Sequence, residues 1–326
     1  MMVSPSSEAA SRHRRWRRTL LQGLITLAIF VYLLTLVDLA ELGDAFRRAP
    51  WWGVPAAVAV MLAGLTLAAL RWRLLLAAYG APRRPPLGRL FRLHLIGAFY
   101  NTLPGAVGGD VVRGLVTRDA FTSGSATAGI AVVFVERALG MSALLLVVAT
   151  AFALRPIAGV SGLWLGVILG LTASGFAIAA IALGQRWAAY WPRPLRRFAH
   201  ALPVLQSWPP FGLALLCSLL IQVGVAVIGH LFIATLDPRV QWLDSTVLAP
   251  LVFAAAFFPL TIAGAGTRDA AMVALYGLIG VARADSLAAS LQIMLTFLLI
   301  AAIGAVLTLV TPLTGGVQPT DAAESS

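Results

Sequence analysis

Lysine is missing from the 326 residues, and cysteine occurs once, at Cys217. A single thiol excludes an intrachain disulfide and any cysteine-based metal centre; set in an apolar run, Cys217 reads as a small packing residue. Charge is scarce as well. Only 11% of the residues are charged against 60% apolar, and the mean hydropathy is +0.89. A soluble domain carries about 25% charged and roughly 45–50% apolar residues, so an enzyme with an ordinary solvated surface is excluded. The longest polar-rich stretches, residues 1–18, 80–92, 185–210 and 311–326, are each too short for a separate catalytic domain. What is present in quantity is apolar sequence. It leaves room for roughly six to eight membrane segments of about 20 residues.

With no lysine, all 24 basic residues are arginines, set against 13 acids for a net charge of +11. We read the missing lysine as a coding bias. In a soluble protein such a balance points to nucleic acid, but these arginines gather at segment ends, as the positive-inside rule predicts. No nucleic-acid partner is expected.

Residues 1–18 form a basic cytoplasmic tail ahead of an apolar run at 19–37, too long for a cleaved signal peptide. An acidic-leaning turn (Asp38, Glu41, Asp44) leads to a second span at 51–70. Residues 71–92, with six arginines and a proline cluster, read as a cytoplasmic segment. Residues 93–119 are too interrupted to span, being broken by Pro104, Gly105, Gly108 and Gly109. A broken helical hairpin fits better, and such backbone survives at membrane depth only inside protein or along a cavity. Spans follow at 125–154 and 160–184, a basic connection at 185–210, and a span at 211–236. A second interrupted pair at 246–282 breaks at Pro259, Gly264 and Gly266, and a last span covers 286–310 before a polar tail at 311–326.

This arrangement places sixteen arginines on the cytoplasmic side and five outside (Arg47, Arg48, Arg155, Arg239, Arg283), with Arg113, Arg137 and Arg268 inside membrane motifs. Both termini are therefore expected in the cytoplasm, in a bacterial inner membrane. The nine tryptophans, Trp72 included, fall near segment ends like an interfacial belt. Two membrane repeats emerge, 19–154 and 160–310, each reading span, span, broken hairpin, span, and starting on opposite sides. The fold expected is an all-α polytopic membrane protein with about six full spans plus two re-entrant hairpins, as inverted repeats. Inverted repeats whose broken helices meet near the midplane are a transporter pattern.

Asp110, Arg113, Glu136, Arg137, Arg268 and Asp269 fall at membrane depth, where a charge costs on the order of 2.5–3.5 kcal/mol. They must pair or meet water. Asp110 and Arg113 share a helix face. Glu136 and Arg137 point about 100° apart, so each needs a partner from elsewhere, expected from the two broken hairpins. Two roles stay open: a fixed brace between the hairpins, or substrate handling. The turn from Pro104 to Gly109 opens a half-helix at Asp110 whose amides suit an anion; Asn101 and Tyr100 stand beside it. There is no preceding strand and no lysine, so it is no nucleotide loop. His13, His94, His200 and His230 are isolated from one another, and no metal or other cofactor is expected. Ser174 and Ser218 sit in small-residue contexts typical of helix contacts.

The stretches FYNTLPGAVGGDVVRGLVTRDA (99–120), FVERALG (134–140) and PLTIAGAGTRDAAMVALYGLIGV (259–281) resemble the lysylphosphatidylglycerol synthase transmembrane-region family, also called the flippase-like or uncharacterised-protein-family 0104 group. The resemblance covers about residues 15 to 312. It implies a lipid translocator, because the membrane region of the bifunctional family protein is regarded as one. The aminoacyl-transferase domain of that protein is a separate module that follows, and with this sequence ending at 326 its enzyme activity is not expected here. Pro104, Gly108, Gly109, Asp110 and Arg113 match the first family motif, and Glu136 with Arg137 the second. In the third motif the family typically has Glu where this chain has Asp269.

The resulting expectation is an inner-membrane translocator for a lipid with a polar or anionic headgroup. The arginines would hold the headgroup and the carboxylates release or gate it. The alternative is a non-catalytic accessory membrane protein of a lipid or glycan pathway, with an integral-membrane transferase a distant third. Expected partners are membrane lipids, together with a second copy of the chain or a biosynthetic enzyme.

Overall fold

In hydrocarbon every backbone amide must find its partner within the segment, so long apolar runs fold as helices. The computed structural model describes residues 5–82, 84–102, 126–157, 162–183, 188–190, 192–193, 196, 204–256, 261 and 264–310. These residues are helical, and none is in a strand. The ten α-helices are α1 (Pro5–Thr35), α2 (Leu39–Arg48), α3 (Gly53–Ala78), α4 (Leu87–Thr102), α5 (Ala126–Leu154), α6 (Leu163–Leu183), α7 (Trp208–Leu236), α8 (Trp242–Ala255), α9 (Thr267–Gly277) and α10 (Arg283–Val310). The protein is a polytopic helical membrane protein.

Among the described residues four helices are long and apolar enough to cross a bilayer: α3, α5 from Val132, α7 and α10. The end of α1 joins α2 through a 92° bend and makes a fifth if the pair is one span. In α6 the shorter apolar part is Leu163–Phe176. Helix α2 occupies the expected acidic turn. Asp38 caps it by accepting from the amide of Ala40, and Leu42 and Ala45 are its buried face.

Of the second interrupted region, residues 246–256, 261 and 264–282 are described. Helices α8 and α9, of 14 and 11 residues, reach only about 21 and 16 Å at 1.5 Å per residue, short of a hydrocarbon core of about 30 Å. Between them Gly264 and Gly266 take φ of +72° and +91°, left-handed values that a side chain disfavours. In the first interrupted region α4 ends at Thr102; Pro104, Gly108, Gly109, Asp110 and Arg113 lie outside the described residues, as does Pro259.

Two expectations need correction. The second span does not end at residue 70: α3 runs to Ala78, so Arg71 and Arg73 belong to a helix instead of a loop. Trp72 is consequently not interfacial but is 1% exposed in a core with Leu75, Leu76, Leu90 and Leu139. The physical reason is that Leu74–Ala78 continues the buried face, and a buried ion pair accommodates Arg71. Trp51, Trp52, Trp164, Trp208 and Trp242, by contrast, are exposed at helix ends.

Helix packing interleaves the two halves. Helix α3 lies along α7; α4 packs on α3 and α10, while α8 packs on α7 and α5. Helix α10 also meets α3, as α5 meets α7. At Gly304 the crossing of α10 over α4 is so close that a Cβ would fall 2.1 Å from the Leu95 carbonyl oxygen.

Candidate functional site

Among the described residues two ion pairs are buried within the bundle. The first joins three helices. Arg71 on α3 donates through Nη2 to Oε1 of Glu136 on α5 at 2.6 Å, and through Nη1 to Oγ of Ser218 on α7 at 3.1 Å. The side chains are 11% and 4% exposed. Gly140, one turn beyond Glu136, also faces the arginine; a Cβ there would stand in ordinary contact, 3.7 Å from Nη1. Its carbonyl receives Nε2 of Gln222 from α7. Among the described residues Glu136 thus finds a partner on a full-length helix; the first broken hairpin beyond Thr102, from which a partner was also expected, lies outside them. Arg71 was not among the expected site residues; only the apolar sequence continuing past it marked it as intramembrane.

The second pair is built on the glycine turn. Asp269 occupies the third position of α9 and its Oδ2 accepts from the amide of Gly266 at 2.8 Å, satisfying a helix-start donor that otherwise lacks a partner. Its Oδ1 accepts from Nη2 of Arg268 at 2.9 Å and from Oγ of Ser290 on α10. Arg268 also donates from Nε to Ser290 Oγ and from Nη2 to the Ser290 carbonyl, at 3.2 and 3.3 Å. Its guanidinium carbon stands 5.6 Å from the centre of the Phe297 ring, within cation–π range. Arg268 and Asp269 are 2% and 1% exposed. Neighbours in sequence pair here because a long arginine curls back to a carboxylate fixed at a helix start. Ser290 was missed, although Ser286 and Ser290 recur four apart in an apolar run.

The remaining expected residues divide. Arg137 and Asn101 are exposed on α5 and α4. Glu136 lies among Val132, Val135 and Leu139 of one core cluster, whereas Asp269 is followed on α9 by Met272 and Tyr276 of the other. Among the described residues the hydrogen bonds of the first pair run to Ser218 and those of the second to Gly266 and Ser290. Asp110 and Arg113 lie outside the described residues, as does any part they take in either pair.

At the helix ends, four of the five arginines assigned outside meet acids. Arg47 pairs with Asp44, Arg48 with Asp285, Arg155 with Asp244 and Arg239 with Asp237. Arg48 also donates to the Leu236 carbonyl at 3.0 Å, strapping α2 to the ends of α7 and α10. The hydrogen bond from Arg239 holds the Asp237 carboxyl below its usual range. His230 meets Ser245 Oγ through Nδ1 at 3.1 Å.

None of the curated proteins matches the chain. The family described as "Lysylphosphatidylglycerol synthase TM region" matches residues 19–312, which takes in every described helix from the apolar part of α1 to α10. The chain therefore belongs to the lysylphosphatidylglycerol synthase transmembrane-region family.

Proposed function

We propose that this protein translocates a lipid with a polar or anionic headgroup across a bacterial inner membrane, with both termini in the cytoplasm. The observation that carries the reading is the pair of buried charge clusters inside an apolar bundle. Charges at membrane depth are expensive, and they mark substrate and ion pathways. The family match supports lipid-related work, and the arginine distribution supports the orientation.

The packing supports two inverted repeats. Exchanging α3 with α7, α4 with α8 and α5 with α10 maps the observed helix contacts onto one another. The α3–α4 contact becomes α7–α8, α4–α10 becomes α8–α5, and α3–α10 becomes α7–α5. The central α3–α7 contact maps onto itself. Such a two-fold relation suits alternating exposure of one site to either side.

A second reading, an accessory protein of a lipid or glycan enzyme, draws support from the closely satisfied Arg268–Asp269–Ser290 cluster, which suits a packed interior. The experiment that separates the readings is reconstitution of the pure protein in liposomes with fluorescent lipids. Headgroups gaining access to a membrane-impermeant quencher or reductant faster than in empty liposomes is the expected result. An unchanged rate favours the accessory role.

A further inference from the structure

Arg71 is bound less completely than its burial demands. A guanidinium offers five N–H donors in a planar fork. Glu136 takes one from Nη2 through a single oxygen, and Ser218 takes one from Nη1. The Nε group is buried and has no acceptor among the described residues, so the Nε–Nη2 edge, the edge that grips carboxylates and phosphates through two parallel bonds, is only half used. The contrast with Arg268 is direct, because there Nε is engaged by Ser290.

The surroundings also favour an anion. Arg73 on α3 and Arg137 on α5 are exposed beside this pair in sequence, and Glu136 is the one acid in either helix. Arg71 lies seven residues before the end of α3, about 10 Å deep along the helix at 1.5 Å per residue. A phosphate-bearing headgroup entering from that end passes the exposed Arg73 before reaching a half-used fork.

We propose that Arg71 is a binding residue for the phosphate of a lipid headgroup, and that Glu136 competes with that phosphate for the same guanidinium. Glu136 thereby sets how tightly the headgroup is held and how readily it leaves. This inference rests on the lipid-handling reading and names the headgroup chemistry and a residue that reading did not include.

The test uses the full chain purified in detergent. Binding of phosphatidylglycerol and of diacylglycerol, which has no phosphate, is measured by native mass spectrometry, with inorganic phosphate as a competitor. Arg71→Gln is expected to weaken phosphatidylglycerol binding about tenfold, the equivalent of about 1.4 kcal/mol, and to leave diacylglycerol unaffected. Glu136→Gln is expected to tighten phosphatidylglycerol binding several-fold even while it lowers Tm, since a neutral amide holds the guanidinium less strongly than a carboxylate and yields it more readily to phosphate. Arg71→Lys keeps the charge but loses the fork, and is expected to fall between wild type and Arg71→Gln; it serves if Arg71→Gln does not fold.

A brace without a ligand moves Tm alone: both substitutions lowering Tm with phosphatidylglycerol binding unchanged, or both weakening it alike, overturn the proposal. Inorganic phosphate displacing the lipid from wild type but not from Arg71→Lys supports a phosphate site. Phosphate binding without any preference for phosphatidylglycerol over diacylglycerol overturns the lipid source. Because binding is read without transport, a protein that binds through Arg71 yet moves no lipid in liposomes overturns the translocator reading and leaves this one standing.

Discussion

The two buried ion pairs solve one electrostatic problem in opposite ways. Arg268 and Asp269 are adjacent, anchored by the amide of Gly266 and by Ser290, with Nε and Nη2 of the arginine and both carboxylate oxygens engaged. Arg71 and Glu136 are 65 residues apart, come from different helices and lean on a third, and Nε of Arg71 has no acceptor among the described residues. A pair closed on itself holds a turn in shape. A pair spread across three helices registers any shift among them and retains capacity for a fourth participant. The difference teaches that burial alone does not identify a site of exchange; the unused valence does.

The largest expected effect falls on the closed pair. Asp269→Asn leaves Arg268 buried without a counter-ion and should lower stability by about 3–5 kcal/mol, the usual result of breaking a buried pair from one side. Thermal unfolding in detergent measures it, and a loss below about 1 kcal/mol breaks the comparison. Next comes the turn that builds this pair. Gly264→Ala combines a φ of +72° with a Cβ falling 2.5 Å from that of Ala256, a strain of about 1–3 kcal/mol. The same unfolding assay reads it, and an Ala as stable as wild type would detach Asp269 from the glycine geometry.

Glu136→Gln should cost less than Asp269→Asn, about 1–3 kcal/mol, because an amide still accepts from Arg71 and the arginine keeps Ser218. Equal losses at positions 136 and 269 would erase the distinction drawn here. The smallest effect belongs to the Arg239–Asp237 pair at the end of α7, whose arginine is exposed. Asp237 is held below its usual range chiefly by the hydrogen bond from Arg239, so its stabilisation is complete at neutral pH. It fades as the pH falls below an unfolded value of about 3.9. Removing the partner in Arg239→Gln should flatten the acid limb of the stability–pH profile slightly, whereas a change near pH 7 would contradict the assignment.

The spans were legible where apolar sequence is long and unbroken: 125–154 became Ala126–Leu154 and 286–310 became Arg283–Val310. Legibility failed where charge and helix coincide. Arg71 and Arg73 look like the end of a span, since a lone arginine in hydrocarbon is costly. Only the distant Glu136 makes the first of them affordable, and no local pattern announces a partner 65 residues away. Of the candidate site, Arg268 and Asp269 stand as a buried pair. That they would satisfy each other was hidden, because the rule that adjacent helical residues diverge ignores a carboxylate fixed at a helix start. Helix α2 was signalled by Asp38 three residues before Glu41, a helix-start spacing, inside a stretch whose acids suggested only a turn.

The strap from Arg48 to Asp285 also sets a clock on synthesis. Its partners are 237 residues apart, and at about 5–20 residues per second the arginine waits roughly 12–47 seconds for its aspartate to be made. Arg71 and Glu136 are both in place long before Ser218 or Asp285 exists. The nascent chain thus carries one ion pair able to close early and one that cannot close before synthesis has reached the start of α10.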